Sequence, residues 1–151
     1  MPLPPPHPGV LPTKPTPNIG HYLTFKVAGL PPYKDFKTSI RNSHNKNHDR
    51  FLRLREAATK AMRGRRWSDH AISLTLSIFA PSLEKRMTPI DYMSGIFDTL
   101  GGSHGQHFTY LPIVYQDDVQ AHLGECTFHE STRTYYVIKI QFLGERSSSW
   151  R

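Results

Sequence analysis

The pattern of apolar residues along the chain predicts a single α/β (α+β) domain, with a mixed sheet of about four strands and two main helices in the order β-loop-α-β-α-β-β. Four stretches read as strands, most plainly where apolar and polar residues alternate. Two intervening stretches carry apolar residues at i, i+3 and i+4, the rhythm of a helix with one buried face. The length of 151 residues suits one domain. A chain of this size buries about two thirds of its unfolded surface and needs no metal or disulfide merely to fold.

The chain opens on a proline-rich segment, with eight of its thirteen prolines in the first seventeen residues. Proline fixes φ and removes a backbone donor, so residues 1–20 are expected to form an extended, disordered arm with polyproline II character. Such an arm serves as a tail or linker, or docks a partner through its Pro-x-x-Pro spacings. The domain is expected over residues 21–145, with a disordered tail at 146–151.

The first strand is expected from about His21, where Leu23, Phe25 and Val27 alternate with Thr24 and Lys26, and Gly29-Leu-Pro-Pro32 stops it. Residues Lys34 to Asn47 show no sustained period and read as a long basic loop. A helix follows, with Asp49 as N-cap, Phe51, Leu54, Ala58 and Ala61 as its apolar stripe, and Gly64 as its stop. Ala71 to Phe79 alternates most cleanly and Pro81 ends it. The second helix takes Thr88 as N-cap and Pro89 at its first position, with Ile90, Met93, Phe97 and Leu100 as its stripe and Gly101-Gly102 as terminator. A Gly- and His-bearing loop at 103–110 leads to Leu111–Tyr115 and Gln116-Asp-Asp-Val-Gln120. Two last strands are expected around Val119–Phe128 and Thr134–Leu143, separated by a turn near Glu130–Arg133.

Nineteen basic and twelve acidic residues give a net charge of +7, and the distribution is uneven. Between Lys34 and Arg66, eleven basic residues against three acidic ones give +8 locally. Each Lys or Arg set against a phosphate releases counterions, so a polyanion such as nucleic acid is the expected partner, and a solvated basic face the alternative. Lys34, Lys37, Arg41, Lys46, Arg50, Arg53, Arg63, Arg65 and Arg66 are the expected contacts. The longest apolar stretch, Ala71–Ala80, is far short of the ~20 residues of a membrane span. With one cysteine, no signal-like start and no span, the chain is expected to be intracellular, in the cytoplasm or nucleoid, or in a nucleus or organelle.

Acids are scarce, so their placement carries weight. Asp91 and Asp98 stand at i, i+7 on the second helix, about 10.5 Å apart along its axis. Asp117-Asp118 is an adjacent pair that repels unless a cation or base neutralises it, and it is placed to approach the start of that helix. Asp91 also suits a capping box with Thr88, Asp98 an ion pair, and Asp117-Asp118 a turn. His44/His48 and His104/His107 have ligand-like spacing but lack a second cluster, so they read as surface or loop histidines rather than zinc ligands. Cys126 falls inside a strand and reads as a buried structural thiol. No Walker or Rossmann phosphate loop is present.

The ordered set Phe25-Lys-Val-Ala-Gly-Leu-Pro-Pro32, the basic loop and helix with Leu54-Arg-Glu-Ala-Ala58, the strand Ala71–Phe79, Gly95-Ile-Phe-Asp-Thr-Leu100 and Tyr115-Gln-Asp-Asp-Val-Gln120 resembles the RusA-like Holliday junction resolvases, over about Leu23 to Leu143. The resemblance implies an intertwined homodimer that binds branched DNA and cleaves it as a magnesium-dependent endonuclease in recombination and repair, with manganese as an alternative ion. It carries the catalytic second aspartate of the family's Asp-Asp pair onto Asp118, its neighbour onto Asp117, and the acid that precedes a small residue and Leu in the second helix onto Asp98. The family's Asp-x-Asp-Asn at the head of the second helix departs here. Ungapped alignment sets Thr88 and Ile90 at the two aspartates, Asp91 at the asparagine and Ser94 at the lysine, whereas a one-residue slip makes Asp91 the second aspartate. The expected catalytic set is therefore Asp91, Asp117 and Asp118, with Asp91, Asp98 and Asp118 as metal ligands. A structure-selective nucleic-acid binder with an eroded metal site on the same fold is the alternative.

Overall fold

A computed structural model describes residues 11–34, 45–101, 103–104, 109–116 and 120–144. In chain order it forms β1 (Tyr22–Ala28), α1 (His48–Met62), β2 (Ile72–Ala80), α2 (Pro89–Leu100), the short strands β3 (Ser103–His104) and β4 (Thr109–Tyr110), β5 (Ala121–Glu130) and β6 (Tyr135–Phe142). The main sheet has the order β1-β6-β2-β5, with β5 parallel to β2 and the other pairs antiparallel. This is the mixed four-stranded, two-helix architecture that the sequence pattern predicts.

The inner face follows directly from period two. On β2, Ile72, Leu74, Leu76, Ile78 and Ala80 are buried, and Ser73, Thr75, Ser77 and Phe79 on the other side are half-buried. On β6, Tyr136, Ile138, Ile140 and Phe142 join the same layer, where each fully buried aliphatic or aromatic side chain contributes about 1.5–3 kcal/mol. Helix α1 packs on β1, α2 on β5, and the helices touch each other. Their stripes, Leu54, Ala58 and Met62 on one and Tyr92, Met93, Ile96 and Leu100 on the other, complete a single core. α2 approaches β5 closely at Gly124, where an added Cβ would lie 2.9 Å from Met93 Cε.

The last two strands do not pair with each other. β2 lies between them, and the connection 131–134 passes over its end, marked by the Ser131 N–H donating to Ala80 O at 2.9 Å. The strand with the most regular apolar face is thus one of the two inner strands. Helix α1 begins one residue before the expected cap, because Asn45 Oδ1 accepts the Asn47 N–H at 2.7 Å and the Asn47 carbonyl takes the Phe51 N–H at 2.9 Å. It ends with Arg63 itself in the left-handed region at φ 54°, one residue before Gly64. The segment 103–110 contains the two-stranded β3–β4 ribbon where sequence suggests only a loop. His48 is buried and stacked on Phe51, not at the surface.

The second half of the Pro-rich arm is fastened to the domain. The N–H groups of Thr13 and Lys14 both donate to Gly64 O at 2.9 Å, the Arg66 N–H donates to Lys14 O, and Thr16 Oγ1 donates to Trp67 O. Between prolines, Thr13, Lys14 and Thr16 retain the donors needed to pair with the segment that follows α1.

Gly95 sets how closely the β1 exit can approach α2, since a Cβ there would run into the backbone of Pro32 and Tyr33. Backbone atoms yield far less than a flexible side chain. Gly95→Ala is therefore expected to destabilise the fold by roughly 1–3 kcal/mol despite alanine's higher helix propensity, measured as a lower urea midpoint with an unchanged slope.

Candidate nucleic-acid interface

An edge strand next to a basic helix gives the fold a groove of about 770 Å³ between β1 and α1. The free edge of β1 forms one wall. At its two ends the Phe142 N–H donates to His21 O and the Gly29 N–H donates to Thr134 O. In an antiparallel ladder such pairs alternate, so the N–H and C=O groups of Tyr22, Thr24, Lys26 and Ala28 face away from β6 and into the groove. Helix α1 and the turn after it form the other wall, lined by Arg53, Glu56, Lys60, Arg63 and Arg65.

The expected contact residues divide by what they touch. Arg53 is exposed, and its guanidinium donates to Ala28 O at 3.3 Å, lying over Gly29 where a side chain would collide with it. Arg63 is exposed at the groove end, held there by its left-handed backbone. Arg65 is a cap: it donates to Met62 O and Ala61 O, which α1 leaves without helical partners, and meets His21 Nε2 at 2.8 Å. Arg50 lies outside the groove and pairs with Glu84 at 2.6 Å while donating to Pro31 O. Arg66 pairs with Asp69 at 2.9 Å and lies over the Trp67 ring. Lys46 stands 5.5 Å over the Tyr33 ring, and Lys34 is exposed close by in sequence. Lys37 and Arg41 lie outside the described residues.

One groove cation was missing from the expected contacts. Lys60 is 77% exposed and only loosely joined to Glu56 at 3.2 Å. Lys60 was legible as the helical neighbour of Arg53 and Arg63. Lys26 turns its ammonium to the other face of the sheet, 4.2 Å over the Tyr135 ring.

The acids are placed by the ends of α2. At its start Asp91 Oδ2 accepts both the Thr88 N–H at 2.7 Å and the Thr88 hydroxyl at 3.0 Å, completing the capping box. Asp98 is half-buried in the last turn, about 10.5 Å further along the axis. That last turn is also where the stem of the Asp117-Asp118 loop is anchored. The Tyr115 hydroxyl donates to Phe97 O, the Ile113 and Val114 N–H groups donate to Leu100 O, and Arg55 donates to Thr99 O at 3.0 Å. On the far side of the loop, Gln120 Nε2 donates to Ser68 O and His70 O while its Oε1 accepts the Gln116 N–H.

Asp117 and Asp118 themselves lie outside the described residues. The expected approach of this pair to the start of α2 therefore falls on residues outside those described. Against the magnesium that the family resemblance implies, Asp91 and Asp98 are too far apart along the helix to share one ion. Among the described residues no group of three His, Cys, Asp or Glu side chains converges. Cys126 is half-buried in β5, not buried as expected, and desolvation pushes its thiol up. No family model matches the chain, and no curated protein matches its sequence.

Because Asp91 closes a capping box, Asp91→Ala is expected to lower stability by about 1 kcal/mol in metal-free buffer, seen as a fall in Tm. An unchanged Tm would return Asp91 to a ligand role. Tyr92, whose hydroxyl donates to Glu84 at 3.1 Å, is pushed up to about 12, chiefly by burial, from an ordinary value of 10.0. The unfolded phenol thus loses its proton first, and stability is expected to fall as pH rises from about 10 to 12. Tyr92→Phe should flatten that fall in a pH series of urea midpoints.

Proposed function

We propose that this protein binds nucleic acid along the β1/α1 groove, and that its target is branched DNA, as the resemblance to the RusA-like resolvases implies. The observation that carries this reading is the juxtaposition of Arg53, Lys60 and Arg63 along a groove whose one acid among the described residues, Glu56, is already paired with Lys60. Three cations on one groove make a surface that a chain of phosphates neutralises better than any single anion. Structure-selective binding without cleavage is the reading best supported, since Asp91 is engaged in capping and stands two helical turns from Asp98.

Cleavage is kept as a second reading on one observation: the stem of the Asp117-Asp118 loop is fastened to the turn that carries Asp98. A homodimer belongs to either reading through the resemblance, and a two-fold axis would present two grooves to a symmetric junction. Sedimentation at micromolar concentration checks it.

The main test is the salt dependence of binding to a labelled four-way junction. Three to four phosphate contacts give a slope of about −3 in log K against log salt. Replacing Arg53 and Arg63 by alanine should weaken binding at every sequence and reduce that slope by about 2. Binding indifferent to salt would remove the proposal. Incubation of the wild type and Asp118→Asn with magnesium or manganese separates the two readings: nicking that the variant loses, with binding intact, would establish an endonuclease.

A further inference from the structure

Resting on the nucleic-acid reading, we infer that His21 and Arg65 form a proton-operated phosphate clamp at the end of the β1/α1 groove, so that nucleic acid binds there with uptake of a proton on the His21 ring. One contact carries the inference: Arg65 Nη1 lies 2.8 Å from His21 Nε2. A guanidinium has donors only, so Nε2 accepts, and the ring in this arrangement is neutral with its one proton on Nδ1. That Nδ1–H has no partner among the described residues, on a half-buried ring that lines the groove.

Arg65 is fixed by the helix it caps. Its Nε and Nη2 donate to Met62 O and Ala61 O, so with the His21 contact three of its five N–H groups are engaged and two are left for an incoming acceptor. A proton on the ring changes the pair from donor and acceptor to two donors, and the direct contact is lost. A phosphate oxygen seated between them accepts from both, with charge-assisted hydrogen bonds on either side. An arriving nucleic-acid backbone supplies that oxygen, and the charged ring adds one cation to the row of Arg53, Lys60 and Arg63.

The charged groups around His21 are mostly basic. The turn after α1 brings Arg63 and Arg65, the helix brings Lys60 and Glu56, and the arm brings Lys14, whose backbone pairs beside Arg65. From β6 the Phe142 ring reaches His21 at a centroid distance of 6.2 Å, while Lys139 lies over Tyr22 on the other face of the sheet. Glu56 stands about 9 Å back from the last residue of α1 and is paired with Lys60. Among the described residues no carboxylate pairs with His21, so the partner for a charge on the ring comes from outside the protein. A histidine ordinarily changes charge between about pH 5 and 8, which places the clamp within an accessible range.

The test is fluorescence anisotropy of a labelled four-way junction over a salt series at about pH 8 and about pH 5.5, either side of the ordinary histidine range. One added cationic contact is expected to steepen the slope of log K against log salt by about 1 at the lower pH, and to tighten binding about eightfold at about 0.1 M salt. His21→Gln, checked for an unaltered Tm, should remove that difference, and His129→Gln, on the opposite edge strand β5, should retain it. Independently of any variant, a long-range nitrogen–proton spectrum of the free protein at the higher pH should show His21 as the Nδ1–H tautomer, and an Nε2–H tautomer overturns the inference. A wild type with the same affinity and slope at both pH values, or a His21→Gln protein that keeps the full difference, also overturns it and leaves nucleic-acid binding standing. Failure to bind the junction at either pH overturns the reading on which it rests.

Discussion

The buried guanidinium of Arg55 is the constraint on which the arrangement of both helices depends. It is 2% exposed, and it donates to Thr99 O at 3.0 Å and to Leu111 O at 2.7 Å, with its charge 5.8 Å over the Phe51 ring. Burying a charge costs several kcal/mol unless strong acceptors surround it. The C-terminal carbonyls of a helix are such acceptors, since they lack helical partners and carry the negative end of its dipole. α2 has no basic residue in its own last turn, so α1 supplies one across the interface. The same bond fixes the crossing of the two helices and the path of the chain leaving α2.

The end of α2 and the loop beyond it take their positions from that bond. Thr99 O is taken by Arg55, Phe97 O by the Tyr115 hydroxyl and Leu100 O by two backbone donors, so three of the last four carbonyls of α2 are met by tertiary contacts. Tyr115 is thereby buried beside Gly101, where an added Cβ would lie 3.0 Å from its ring. The loop that carries Asp117-Asp118 leaves from this knot and is closed by Gln120, whose amide spans Ser68 and His70.

The basic segment shows how one run of charge serves several purposes. Arg55 turns inward to hold α2, Arg65 caps the end of α1, Arg50 and Arg66 are matched by Glu84 and Asp69, and Arg53 and Arg63 remain on the groove. Each fate follows from helical position: residue 55 shares the stripe of Phe51 and Leu54, and residue 53 lies on the opposite side beside the edge of β1. Counting the segment as +8 is correct for the chain. It overstates what a partner would meet.

Local chemistry was enough to determine the elements: alternation marked β2 and β6, Thr88-Pro89 marked the first turn of α2, and Thr88 with Asp91 marked its capping box. These are contacts between residues at most four apart, or a period repeated along one strand, and a sequence records them directly. The sheet order is different. That β5 and β6 sit on either side of β2, and that β1 is left as an edge, depends on which apolar faces bury best together across the whole chain. The groove exists only because of that order. The sequence by itself determined which residues carry charge and which form strands and helices. Only the tertiary structure decided which charges stay at the surface, because burial and carbonyl acceptors are properties of the packed layers and not of any local segment.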